Sequence, residues 1–202
     1  MRSDAASIDA AAMRRISAVV LGASAGGFEA LLAVLKALPA SYPMPLVAVL
    51  HLPENHESRL AELFAHRLPL RVREARDKEP LAAGTLYFAP SGYHLSIEND
   101  HSFSLSCEAR VSYARPSIDV LFASAADAYG KSLAGILLTG ANYDGAAGLS
   151  GIRLAGGLTL LQDPSTAEVS TMPEAALRRM TPDLILSLAE INSLLHRLGQ
   201  PQ

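Results

Sequence analysis

The sequence holds one cysteine, no tryptophan and no basic surplus. Each shortage narrows its class. Cys107 cannot close an internal disulfide, and a single thiol excludes a structural metal site built on several thiolates. It reads as a small core hydrophobe. Lys and Arg number 17 against 20 Asp and Glu, a net charge of −3, which leaves nothing to neutralise a phosphate backbone, so nucleic acid is not an expected partner. No apolar run approaches the roughly 18–20 residues that span a bilayer. The opening stretch carries Asp4 and Asp9 and lacks the apolar core of a signal peptide. The expectation is a cytoplasmic chain with no membrane insertion.

What is present suits a large buried core. Half of the 202 residues are hydrophobic and 18% are charged, enough for one α/β domain. Residues 1–15 read as a flexible leader and residues 16–202 as the domain. Apolar strand candidates are Ser17–Gly22, Leu46–His51, Leu70–Glu74, Gly84–Ala89, Leu133–Thr139, Leu158–Gln162 and Leu184–Leu188. Several are continuous apolar runs, as strands covered on both faces of a parallel sheet require. Between them, Phe28, Leu31, Leu32, Leu35 and Leu38 keep helical spacing. So do Ile118, Leu121, Phe122, Ala125 and Tyr129, after Pro116; Leu60, Leu63 and Phe64 mark a weaker third helix. One segment alternates instead. Tyr93, Leu95 and Ile97 lead into Asn99-Asp100, then Phe103, Leu105 and Cys107, an antiparallel hairpin. The fold class is therefore α/β, a doubly wound three-layer sandwich on a mostly parallel sheet with an inserted β-hairpin.

In such sheets, ligands bind beyond the carboxyl ends of the strands. The first strand ends in Gly22-Ala23-Ser24-Ala25-Gly26-Gly27 and turns into a helix; the second ends in His51-Leu52-Pro53; Leu133–Leu138 runs into Thr139-Gly140-Ala141-Asn142-Tyr143-Asp144-Gly145. A hydroxyl, an imidazole and a carboxylate share one edge. Ser24 as nucleophile needs a base, which His51 supplies, and Asp144 holds the imidazole in its useful tautomer. N–H groups near Gly26 would stabilise an oxyanion. Plainer roles remain open: Ser24 as a phosphate contact or cap, His51 as a structural hydrogen-bonder, Asp144 as an N-cap for the helix carrying Leu149 and Ile152. Asp163 rivals Asp144 as the third member. The histidines at 56, 66, 94, 101 and 196 look like helix-surface, hairpin or tail residues. Gly22–Gly26 fits G-x-S-x-G, but the α/β-hydrolase order would need a late histidine such as His196, far from any strand end. It is also a poor dinucleotide loop, since His51 stands where an acidic ribose ligand belongs.

The motifs together resemble the catalytic domain of the chemotaxis protein-glutamate methylesterases, the CheB family. They are Gly22–Gly27, His51–Pro53, Ala89-Pro90, Arg115-Pro116-Ser117-Ile118-Asp119, Leu137-Leu138-Thr139-Gly140, Asp144-Gly145-Ala146-Ala147-Gly148 and Met172-Pro173-Glu174-Ala175, in order from about Ser17 to Leu198. The resemblance implies hydrolysis of glutamyl methyl esters, and glutamine deamidation, on the cytoplasmic helices of methylated chemoreceptors, with other chemotaxis signalling proteins as further partners. It implies Ser24, His51 and Asp144 as the catalytic set and no metal or organic cofactor. Ala25, Gly26, Ala141, Arg115 and Met172 fall at its oxyanion and substrate-binding positions. Arg115 has two readings, substrate orientation or a salt bridge beside the Pro116 helix start. Three departures stand out: Ala25 where Thr is common, Ala141 where Met is common, and Thr171 where Gly is usual. No receiver domain is expected before residue 16. Besides the esterase, a catalytically weak or inactive docking domain and a small-molecule esterase remain as readings.

Overall fold

The computed structural model describes residues 9, 15–51 and 59–200. Of the expected leader only Asp9 and Arg15 are described, so that expectation lies outside the described residues, as do Pro53 and His56. Among the described residues there are nine strands and six α-helices: β1 Ala18–Ala23, α1 Gly27–Leu35, β2 Leu46–Leu50, α2 Leu60–Ala65, β3 Arg71–Glu74, β4 Thr85–Phe88, β5 His94–Ile97 and β6 Phe103–Ser106. Then come α3 Ile118–Tyr129, β7 Leu133–Leu137, α4 Ala146–Leu154, β8 Leu158–Gln162, α5 Thr171–Arg179, β9 Leu184–Leu186 and α6 Leu188–Leu198.

Seven strands form one sheet in the order β3-β4-β2-β1-β7-β8-β9, and every pairing in it is parallel. The apolar runs of β1, β2, β7 and β8 explain this, because parallel strands are buried on both faces, while the edge strand β3 is partly exposed. Alternate residues of β1 go to different cores: Val19 and Leu21 pack with α1, α2 and α6, while Ala18 and Val20 pack with α3, α4 and α5. The sandwich is doubly wound. The chain leaves β1 toward β2 and returns to β7 on the other side of β1, so the switch point lies at the end of β1. Loops splay apart there and leave a crevice.

The hairpin β5–β6 is antiparallel and separate from the main sheet. Leu95, Ile97 and Phe103 join the core beneath α3, and Ser124 Oγ accepts the Ile97 N–H at 3.1 Å. Cys107 departs from the expected core role: it is exposed. Pairing stops at His94–Ser106, so no partner strand carries the alternation one residue further.

Candidate active site

Three strand ends build the site. β1 delivers Ser24, whose N–H is held by Thr139 O at 3.0 Å and whose carbonyl accepts the Gly27 N–H at 2.7 Å. The chain turns into α1 through Gly26, at φ 72°, a left-handed conformation that costs an L side chain strain. The Gly26 and Ala25 N–H groups have no acceptor among the described residues. The facing loop closes in at Gly140, where an added Cβ would stand 2.5 Å from Met172 Cε and 3.0 Å from Ser24 Cβ. A larger residue there would push the buried Met172 thioether aside and crowd Ser24.

His51 follows β2, its N–H held by Ala23 O at 3.1 Å. Its Nε2 lies 2.9 Å from Asp144 Oδ2, and its Nδ1 lies 3.2 Å from Asn142 Nδ2. The surrounding bonds fix the proton. Asp144 is fully buried and accepts the Ser117 hydroxyl at 2.8 Å and the N–H groups of Ile118 at 2.7 Å and Asp119 at 3.0 Å. Burial opposes its charge, but the His51 bond, the Asp119 and Ile118 N–H groups and the Ser117 hydroxyl prevail and hold its carboxyl below the ordinary range. An ionised carboxylate only accepts, so Nε2 carries the hydrogen. Asn142 Oδ1 accepts the Asp144 N–H at 3.1 Å, which turns the amide nitrogen toward Nδ1 as donor. The basic lone pair of His51 is thus on Nδ1.

The plain alternative for Asp144 takes a different form from the one expected. It does not cap α4, whose N-cap is Gly145; its carboxylate reaches across to the first N–H groups of α3. Asp119 has the opposite bias. Burial raises its carboxyl, the Gly148 N–H opposes that, and the nearby Asp144 charge adds to it. Asp163 is not brought to His51; its Oδ1 accepts from the Ser165 N–H and hydroxyl. His196 reaches Lys36 O at 3.3 Å, away from the site.

Ser24 and His51 line one cleft of about 550 Å³ with Ala25, Gly26 and Phe28. Both also line a smaller cleft of about 250 Å³ that extends to Arg110, Tyr113, Arg115 and Asn142. No hydrogen bond joins Ser24 Oγ to His51 among the described residues, since both ring nitrogens have other partners. Arg115 makes no salt bridge among the described residues; Nη1 donates to Cys107 O at 2.8 Å and Glu108 O at 2.9 Å, pinning the loop that rims the smaller cleft. Ala141 is exposed and lines neither cleft. Met172 is fully buried, its N–H on Gly140 O at 2.9 Å and its thioether against Gly140, so it supports the loop from behind.

Sequence reasoning missed the braces. Asn142 carries a signal, since an Asn two residues before a loop Asp is an Asx-turn pattern. Ser117 follows a proline at a helix start. His94, 2% exposed, accepts the Ser117 N–H at Nδ1 and meets Ala109 O at 3.0 Å through Nε2; nothing in its hairpin spacing marks that role. Thr139 Oγ1 donates to Ala25 O and accepts the Val169 N–H, while Gln162 Oε1 accepts the Thr139 N–H, tying the serine loop to β7 and β8. Among the described residues no group of three or more His, Cys, Asp or Glu stands close enough to hold a metal, and no helix is long and apolar enough to cross a membrane.

Comparison with known proteins adds a history to this geometry. The family model described as CheB methylesterase matches residues 19–195. A protein of Leptospira interrogans is 43% identical over 183 residues, spanning 91% of this chain and 95% of its own length. Protein-glutamate methylesterase/protein-glutamine glutaminase 2 of Anaeromyxobacter dehalogenans is 44% identical over 197 residues, 98% of this chain and 57% of that protein. The crystal structure of the Thermotoga maritima CheB methylesterase catalytic domain matches with a TM-score of 0.85 at 30% identity, covering 91% of this chain and 98% of that one.

Proposed function

Because the chain belongs to the CheB methylesterase family, we propose that it is a cytoplasmic serine hydrolase that demethylates glutamyl methyl esters, and deamidates glutamine, on chemoreceptor helices. One observation carries the reading: His51, oriented by buried Asp144 at 2.9 Å, faces the same cleft as Ser24 at the switch point of the sheet.

The chemistry follows from the proton positions. A bound ester displaces the Asn142 amide from His51 Nδ1, and the Ser24 hydroxyl takes that place. Ser24 Oγ attacks the ester carbon, its proton passes to Nδ1, and the carbonyl π pair moves onto oxygen. The Ala25 and Gly26 N–H groups hold the oxyanion; one such donor is typically worth about 10²–10³ in rate. Asp144 stabilises the imidazolium. Collapse breaks the C–OCH₃ bond, and the departing methoxide takes the Nδ1 proton to leave as methanol. Water then repeats the sequence on the acyl-enzyme, releasing glutamate and Ser24. A glutamine amide follows the same path and yields ammonia.

The test is methanol release from a methylated receptor fragment. Ser24→Ala should lower kcat by on the order of 10⁶; turnover at the unmodified rate would remove the mechanism. One feature favours a second reading, a catalytically inactive docking domain: at rest both nitrogens of His51 are bonded away from Ser24. Tight receptor binding without any methanol release would establish that reading instead.

A further inference from the structure

Three clefts adjoin along one edge of the sheet. The first two share Ser24 and His51; the second shares Ser112 and Tyr143 with a third of about 480 Å³, which runs on to Asp119, Arg178 and Arg179. They make one trough from the start of α1, past the serine and histidine, to the last turn of α5. A helical segment of another protein can lie along such a path, whereas a small molecule needs only its centre.

The charge along the trough is uneven. Glu29 lines the α1 end, and the Glu168 carboxylate stands beside Gly26 there. Arg110 and Arg115 line the middle, and Arg178 and Arg179 the far end. Asp119 is one carboxylate against these four arginines, and it is engaged with the Gly148 N–H at 2.7 Å. Arg178 has one exposed pairing, to Glu174 at 3.8 Å, and Arg179 has no ion pair among the described residues. Such an exposed pair yields readily to a competing carboxylate.

Two aromatic rings stand between the arginine groups. Tyr113 is 85% exposed and Tyr143 54%. The turn that carries Tyr113 is closed by reciprocal Val111–Ala114 backbone bonds, with Ser112 and Tyr113 at φ 51° and 64°. This strained turn holds the ring out over the cleft instead of folding it into the core. Tyrosine and arginine together are the usual material of interface hot spots.

We propose that the arm of the trough from His51 to Arg179 is the docking surface for the protein substrate, and that it takes an acidic helical segment. The ester-bearing side chain enters at Ser24, and acidic side chains flanking it lie over Arg178 and Arg179. Tyr113 and Tyr143 cover the apolar stripe between them. Glu29 and Glu168 repel acidic side chains from the opposite arm, which keeps the acidic flank on this one. The proposal rests on the esterase reading above and adds the recognition chemistry.

The experiment uses two labelled helical peptides, each with a central glutamyl methyl ester, one flanked by glutamates and the other by glutamines. Fluorescence anisotropy measures their affinity for the unmodified protein and for Arg178→Glu/Arg179→Glu. The unmodified protein should prefer the acidic peptide by about tenfold at low salt, and the preference should shrink as salt screens it. The double variant should reverse the order, and Arg179→Gln alone should give an intermediate preference. An equal preference in both proteins, or none in the unmodified one, overturns the docking surface. Anisotropy reads binding and methanol release reads chemistry, so a failure of the esterase reading shows in the second assay without moving the first.

Discussion

The two halves of the candidate active site are built to different standards. On one side, Asp144 is buried and receives four donors, three of them from the start of α3, and it holds His51 at 2.9 Å. His94 braces Ser117 from behind at 3.2 Å. On the other side, Ser24 is pinned only through its backbone, and its hydroxyl has no partner among the described residues. A buried carboxylate must be fully satisfied or it destabilises the fold, so the acid–base half is tied into the core. The serine half faces the cleft, where in the proposed mechanism the substrate would complete it. On the proposed mechanism, positioning is stored in the histidine and the acid, and the alcohol is aligned on binding.

Breaking the braced half should affect rate and stability together. Asp144→Asn is the largest case. It removes the charge that orients His51 and should cost on the order of 10⁴ in kcat. It should also cost about 3 kcal/mol in urea unfolding at neutral pH, because the donors aimed at the carboxylate lose an ionised acceptor. The sign of its pH dependence is set. The folded Asp144 carboxyl lies below its ordinary range, so its contribution is complete above the unfolded value, near 3.9, and is lost as pH falls through the folded value. Asp119, raised by burial, works in the opposite sense. Asp144→Asn should flatten the acid limb of stability against pH; an unchanged limb would contradict the assignment.

Asn142→Asp sharpens the contrast with less effect on the fold. The substitution turns a donor toward Nδ1 into an acceptor, which draws a proton onto that nitrogen and removes the base. The expected results are a loss of about 10²–10³ in kcat and a protonated Nδ1 in histidine ¹⁵N spectra. A non-protonated Nδ1 in this variant would break the tautomer argument. Ser117→Ala is the smallest of the three. It removes one buried bond to Asp144 and should cost about 1–2 kcal/mol, read as a lower urea midpoint with an unchanged slope.

Much of this was legible in the residues, and the parts that were not share a cause. The continuous apolar runs place the strands within one or two residues, because a strand buried on both faces has no polar alternation to misplace. Strand-end residues also share an edge by topology, so Ser24, His51 and Asp144 were legible as neighbours. Their braces come from other elements. Ser117 and His94 lie 27 and 50 positions before Asp144, and their approach depends on α3 packing over the hairpin, which no local spacing encodes. Arg115 invited a salt-bridge reading because charge is visible in a sequence and backbone carbonyls are not. Met172 sits in a motif near the site yet serves it from inside the core. Cys107 continued an alternation that ends when the partner strand ends.

The central claim is that Ser24 is a nucleophile driven by His51. Its most direct measurement is labelling by a fluorophosphonate probe, followed by mass spectrometry of the peptide that carries the adduct. The account predicts one adduct, on Ser24, formed rapidly by the unmodified protein and slowed by orders of magnitude in His51→Ala. An adduct on another residue, or equal labelling with and without the imidazole, would contradict it.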